Sequence, residues 1–321
     1  MLTDYVAAVV YLDRCVYVYK DGRRRLTIAL PVTPWRVAPK PHTDLVAVTS
    51  YTQKVFIIDI ATGQTVHTLL FTRDTYGVTF SRDGTLLFVG VHDTVEVWDT
   101  ASADPAQWRR LQGLQGLQGH EGWMCDTEVT HDNATIVTGD SRGTVIVWVL
   151  NSTTQMYEEH QRITATHNRW VVWGAAITDD GSHIFAATRE GLRMLRKQAS
   201  GVYEHVYTVA GYHPAHIRLS RDGSMLVVTD KVYRTSDLSL LHDFKIANDS
   251  TYTRGRFSSD GSLVAVTPES GFAVYKSGDG SPVNKYELST NVTDVCFVSR
   301  SAPASMCVLS RIVQRCFLPS H

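Results

Sequence analysis

The amino-acid sequence predicts an all-β fold, a single closed β-propeller of four-stranded antiparallel blades that takes in residues 1–321 as one domain. Three observations lead there. A short turn signature recurs along the chain, strand-length apolar runs flank each copy, and no stretch carries a sustained helical period. Recurrence of this kind marks a repeat architecture, in which no unit can bury both its faces alone.

The signature stands at Ser81-Arg-Asp-Gly84, Thr178-Asp-Asp-Gly181, Ser220-Arg-Asp-Gly223 and Ser258-Ser-Asp-Gly261, with Thr130-His-Asp-Asn133 as a variant. Gly, and Asn after it, tolerate the positive φ that the last position of a tight turn needs. Gly84 is followed by Thr-Leu-Leu-Phe-Val-Gly-Val, Gly223 by Ser-Met-Leu-Val-Val-Thr and Gly261 by Ser-Leu-Val-Ala-Val-Thr, all of strand length and composition. A further strand follows each, as in Asp93-Thr-Val-Glu-Val-Trp-Asp99 and Gly143-Thr-Val-Ile-Val-Trp148. Phe80, Val129, Ile177, Leu219, Phe257 and Phe297 fall in register at spacings of 38 to 49 residues. That range brackets the roughly 40–45 residues of one propeller blade.

A more degenerate unit lies upstream: Pro34-Trp-Arg-Val-Ala opens it, His42-Thr-Asp44 fills the turn, and Leu45-Val-Ala-Val-Thr and Val55-Phe-Ile-Ile-Asp59 supply strands. Seven inner strands result, hence seven blades. To seal the ring, the C-terminal runs 293–298, 305–309 and 312–317 are expected to join the N-terminal run Arg25–Leu30 in one blade built from both termini. Two further runs, Tyr5–Tyr11 and Cys15–Tyr19, are then left over. Eight blades, with these runs and the Arg25 strand as the extra unit, is the alternative.

Hydrophobic residues at 43% supply an interior, and 20% charged residues do not suit a disordered chain. Lys plus Arg (31) nearly cancels Asp plus Glu (32), which argues against a protein devoted to gripping a phosphate backbone. The five cysteines are scattered without a Cys-x-x-Cys pair, so the reading is free thiols in a reducing compartment, with neither disulfides nor zinc. The N-terminus lacks a positive leader, and its apolar run is far shorter than the ~20 residues of a membrane helix. An intracellular, cytoplasmic or nuclear, protein with no membrane association is expected.

Phe80 through Trp98-Asp99, and Gly119-His120 through Trp148, resemble WD40 repeats: a Gly-His pair, a strand, a turn, and a strand ending in Trp-Asp. Elsewhere the Trp-Asp position has drifted to Ile58-Asp59, Leu195-Arg196 or Tyr275-Lys276, as in a divergent member of the WD-repeat family. The resemblance implies a hydrogen-bonded tetrad of His120, Thr138, Trp148 and a turn Asp. Arg142 stands at the aligned turn position, so the tetrad is expected to lack its carboxylate.

No phosphate-binding glycine loop, His-Glu-x-x-His, Gly-x-Ser-x-Gly or dinucleotide fingerprint occurs. The turn aspartates read as turn formers, and His120 and His167 as internal hydrogen-bonding groups. His213 and His216 precede a strand, where residues three apart face opposite sides. Catalytic, cofactor and metal residues are accordingly expected to be none. The enzyme alternative would rest on Asp126, Glu128 and Asp294 at the channel mouth.

The chain approaches its inner strands through aromatic and arginine residues: Trp35 and Arg36, Thr75 and Tyr76, Trp123, Arg169 with Trp170 and Trp173, Tyr212 and His213, Tyr252 and Arg254. Such residues dominate binding hot spots. Trp35, Arg36, Tyr76, Trp123, Arg169, Trp170, Trp173, His213, Tyr252 and Arg254 are therefore the expected partner-binding residues on the narrow rim. Arg36, Arg169 and Arg254 would suit an acidic or phosphorylated peptide. The expected function is a monomeric, non-catalytic scaffold for proteins inside a larger complex. An RNA-associated role, with rings stacking on bases, is the alternative. The threefold Leu-Gln-Gly in 111–119 reads as a tolerated loop insertion or a partner contact.

Overall fold

A computed structural model describes residues 5–10, 13–111, 119–166, 171–210, 216–246, 253–268, 270–288 and 291–299. Seven four-stranded antiparallel sheets make up the architecture, and the single helix among these residues is one 3-10 turn at Pro105–Gln107. Blades 1 to 6 run in chain order over residues 34–70, 75–110, 124–164, 172–209, 217–243 and 254–286. Their innermost strands are Pro34–Pro39, Thr75–Phe80, Met124–Val129, Val172–Ile177, Ile217–Leu219 and Arg254–Phe257.

The seal departs from expectation. In blade 7 the order is Val292–Val298, Tyr5–Val10, Cys15–Lys20, Arg23–Ala29, so the C-terminal part gives one strand and the N-terminal part three. The runs left over in the sequence reading fill the places assigned to 305–309 and 312–317, and those two runs lie outside the described residues. The described strands make seven blades rather than eight. Apolar runs near either terminus look alike in sequence. What decides between them is pairing across the whole chain, here Val6 with Phe297 and Ala8 with Val295.

The core is a ring of seven clusters, one per seam between successive blades. Ala47, Val55 and Ile57 of blade 1 meet Val78, Phe80, Leu87 and Val89 of blade 2. Phe88 and Val97 of blade 2 meet Ile136, Ile146 and Trp148 of blade 3. The pattern continues to the seam of blade 7 with blade 1, which buries thirteen residues, whereas that of blade 5 with blade 6 buries only Val227, Val232, Val264 and Val266. The inner strand of blade 6 lies so close to the second strand of blade 5 (Met225–Val228) that a Cβ at Gly255 would lie 2.1 Å from Val227 Cγ2.

Each Asp-Gly turn is wired in the same way. Asp83, Asp132, Asp180, Asp222 and Asp260 each accept from the Ser or Thr hydroxyl two residues before, at 2.6 Å, and from the backbone N–H two residues after. Gly84, Gly181, Gly223 and Gly261 close the turns at φ of 65 to 74°, and Asn133 does so at 58°. The carboxylates serve the turns that start the second strands of blades 2 to 6.

Candidate functional site

The channel has an upper end, where the chain passes from blade to blade, and a lower end ringed by the Asp-Gly turns. At the upper end Trp35, Tyr51, Tyr76 and Trp123 form one arc across blades 1 to 3. Ring centroids are 4.5 Å apart for Trp35 and Tyr51, 5.9 Å for Tyr51 and Tyr76, and 6.2 Å for Tyr76 and Trp123, the last pair stacked. Trp123 is 50% and Tyr51 40% exposed, and Trp35 and Tyr76 are half-buried. Four rings in contact, two of them about half open to water, form an exposed aromatic patch rather than a core.

The arc is held in place from behind. The buried Thr75 hydroxyl lies 3.0 Å from the Ser50 and Thr52 carbonyls, which fixes the turn carrying Tyr51. Thr49 Oγ1 donates to the Tyr76 carbonyl at 2.8 Å. The Trp123 backbone is pinned to Ser141 by its N–H to Oγ and by its carbonyl from the Ser141 N–H, both at 3.0 Å. Rings on a fixed backbone lose little entropy when they bind.

Beneath the arc the channel is crossed by charged side chains. Arg36, Asp126, His216, Arg254 and Asp294 each stand three residues before the aligned residue of their inner strand (Pro39, Val129, Leu219, Phe257 and Phe297), so five blades contribute the same position to one buried layer. Arg218 forms a two-pronged pair with Asp126, at 2.6 and 2.8 Å, and lies 3.5 Å from Glu128. Arg256 meets Asp294 at 3.2 Å. Arg36 Nη2 reaches His216 Nε2 at 3.1 Å from the far side of the channel.

Burial, with Arg36, Arg218 and Arg256 nearby, drives the His216 imidazole well below its ordinary pKa, so it is neutral and can accept. Burial also draws the Arg36 guanidinium down to about 10, against the pull of Asp294 and Asp126. Burial acts against Arg218 as well, but Asp126 and Glu128 outweigh it and raise its pKa. Burial raises the Glu128 carboxyl, against the pull of Arg218.

In blade 3, His120 Nδ1 lies 2.9 Å from Asp140 and Nε2 2.7 Å from Thr138 Oγ1, to which Trp148 Nε1 donates at 2.9 Å. The expectation of a missing carboxylate is thus corrected: Asp140, two residues before Arg142, supplies it from the end of the second strand. Asp140 also accepts from the Arg142 and Thr144 N–H groups. Burial pushes its carboxyl up, but the hydrogen bonds from His120, Thr144 and Arg142 prevail and hold it below the usual range. Blade 2 has no such post among the described residues, and Trp98 Nε1 is without a partner.

Of the residues expected on the rim, Trp35, Tyr76 and Trp123 come together. Trp173 is half-buried at the start of blade 4 and does not join the arc among the described residues. Arg36 and Arg254 turn inward and are 7% and 2% exposed. Their guanidinium carbons lie 5.6 and 5.3 Å from the Trp35 ring centre. Arg169, Trp170, His213 and Tyr252 lie outside the described residues, as do His167, Tyr212, Cys307, Cys316 and most of the Leu-Gln-Gly run. Tyr51 escaped the sequence reading because it sits in the turn between second and third strands. Asp126, Glu128 and Asp294 are turned toward arginines rather than paired with one another, and no three His, Cys, Asp or Glu side chains among the described residues could hold a metal ion.

No family model matches the chain, and no curated protein does. Among solved structures it is similar to a protein of unknown function from Desulfotomaculum acetoxidans DSM 771, at a TM-score of 0.73 and 13% identity, over 93% of this chain and 100% of that one. At that identity the likeness concerns the fold alone. The chain is a seven-bladed β-propeller.

Proposed function

We propose that this propeller is a non-catalytic, WD-repeat-like docking platform that grips an extended segment of a partner protein on its upper rim. The observation that carries the reading is the arc of Trp35, Tyr51, Tyr76 and Trp123, preorganised by Thr75, Thr49 and Ser141 and left open to water. The His120–Asp140–Thr138–Trp148 post supports the WD-repeat likeness, since it is the tetrad the family uses to brace a blade. Three buried, unpaired cysteines, Cys15, Cys125 and Cys296, suit a reducing compartment.

The test is affinity purification of the tagged protein from its own cells beside a Tyr51→Ala/Trp123→Ala variant. A small set of proteins that co-purifies with the wild type and is lost with the folded variant supports the platform. Retention of every partner by the variant moves the interface off the arc. A wild-type preparation that carries RNA, with affinity falling steeply in salt, would favour the nucleic-acid reading instead.

A further inference from the structure

Among the described residues four arginines, Arg36, Arg218, Arg254 and Arg256, face three carboxylates in the channel, Asp126, Glu128 and Asp294. The pairing is uneven. Arg218 takes Asp126 and Glu128, and Arg256 takes Asp294. Arg254 Nη1 is 3.8 Å from Asp294, beyond hydrogen-bond reach, and Arg254 Nε and Nη1 are buried with no hydrogen-bond partner. Among the described residues, the hydrogen-bond partner of the Arg36 guanidinium is the neutral His216. A guanidinium at 2% exposure whose Nε and Nη1 make no hydrogen bond, with its counter-charge 3.8 Å away, is costly, and such a group calls for an explanation, of which a ligand that completes it is one. Both lie at the upper end, on the Trp35 ring that begins the aromatic arc.

We infer that Arg254 and Arg36 form an anion subsite in the channel mouth that takes the carboxylate of an Asp or Glu side chain from the segment lying on the arc. This rests on the docking reading and names what that reading leaves open, the chemistry of the partner. A monoanion matches the single excess positive charge, whereas a phosphoryl group, at roughly −1.5 to −2, would overcompensate it. The carboxylate's two oxygens would accept from the idle Arg254 N–H groups and from Arg36, while the residues beside the acid lie on Trp35 and Tyr51.

The experiment selects a random displayed peptide library on the purified full-length protein and measures affinities of synthetic winners. The expected peptides carry one fixed Asp or Glu beside apolar or aromatic positions, and changing that acid to Gln weakens binding by about tenfold or more. On Arg254→Gln or Arg36→Gln protein the same change has little effect, whereas Tyr51→Ala/Trp123→Ala weakens acid and amide peptides equally. Winners without a fixed acid that still need Tyr51 and Trp123 overturn the subsite and leave the platform standing. Winners indifferent to Tyr51 and Trp123, or no enrichment at all, overturn both. A peptide with phosphoserine in place of the acid that binds more tightly overturns the carboxylate assignment.

Thermal unfolding separates folding from binding. Loss of a buried charge that makes no hydrogen bond through its guanidinium Nε and Nη1 should leave the Tm of Arg254→Gln unchanged or raise it. A fall in Tm would make the guanidinium a structural group and overturn the subsite. Should Arg254→Gln fail to fold, Arg36→Gln and Arg254→Lys carry the comparison.

Discussion

The two ends of the channel are built from the same seven strands and are finished in opposite ways. Below, every described Asp-Gly turn satisfies its own carboxylate, and side chains tie one blade's turn to another's. Lys40 donates to the Gly84 and Thr100 carbonyls, Asn133 to Asp83, and Arg82 to both Asp179 and the Arg221 carbonyl. A cavity of about 220 Å³ remains there, lined by Lys40, Arg82, Glu128, Arg221 and Phe257 among others. Above, rings lie open to water and two arginines lack hydrogen-bonded counter-charges. Groups that find partners inside the fold hold it together. On the proposed reading, the open rings and under-bonded arginines above are where a partner segment would lie.

That contrast can be tested by stability, beginning where the effect is expected to be largest. The upper end holds the braced post of blade 3, and Asp140→Ala strips the acceptor from His120, Arg142 and Thr144 at once. A loss of about 3 kcal/mol in denaturant unfolding is expected. Next comes Lys40→Met at the lower end, which leaves the Gly84 and Thr100 carbonyls without their ammonium donor between Phe80 and Trp108. About 2 kcal/mol should be lost, read by the same measurement. Asp222→Ala removes one turn's acceptor and should cost about 1 kcal/mol. The smallest effect belongs to Tyr51→Ala/Trp123→Ala, within about 0.5 kcal/mol of wild type, although binding is lost. A large destabilisation there would make the arc a core and erase the contrast.

Acid should act on the braced groups. Asp83, Asp132, Asp140, Asp180, Asp222 and Asp260 all titrate below their ordinary value in the fold, with Asp180 held at about 2, first by the Thr178 hydroxyl. A depressed carboxylate contributes stability above its unfolded pKa of about 4, lost as pH falls through the folded value. Stability is therefore expected to decline from about pH 5 downward, less steeply in Asp140→Ala, as urea midpoints across pH would show.

Much of the architecture could be read locally. The Asp-Gly turns announced the inner strands because a positive φ after a turn-forming Asp is a local requirement. Three of the four rings in the arc were found the same way, by their place at the entry to an inner strand. What escaped depends on distance along the chain. Arg218 meets Asp126 across 92 residues and Arg36 meets His216 across 180, and neither pair leaves a spacing to recognise. Charged or polar residues recurring at one register position of five inner strands, Arg36, Asp126, His216, Arg254 and Asp294, were the available signal. Asp140 was overlooked because the alignment looked inside the turn, whereas the carboxylate sits at the strand's end and reaches back to His120.

The mixed seal of blade 7 has a consequence for how the molecule comes into being. Its strands 5–10, 15–20 and 23–29 are made first, yet the strand that completes their sheet is residues 292–298. At ribosomal speeds of roughly 5–20 residues per second the N-terminal hairpins wait tens of seconds for their partner. Throughout that interval Tyr5–Val10 is an unsatisfied edge, open to pairing with a second nascent chain. Closure then depends on a contact almost 300 residues apart, the slow, non-local kind of step that sets the pace of folding. The late strand buries Cys296 and Val298 at the seam with blade 1 and Val292, Val295 and Phe297 at the seam with blade 6, which makes that step hard to reverse. In the finished ring, opening is expected to start between blades 5 and 6, where strands of three to five residues share four buried valines.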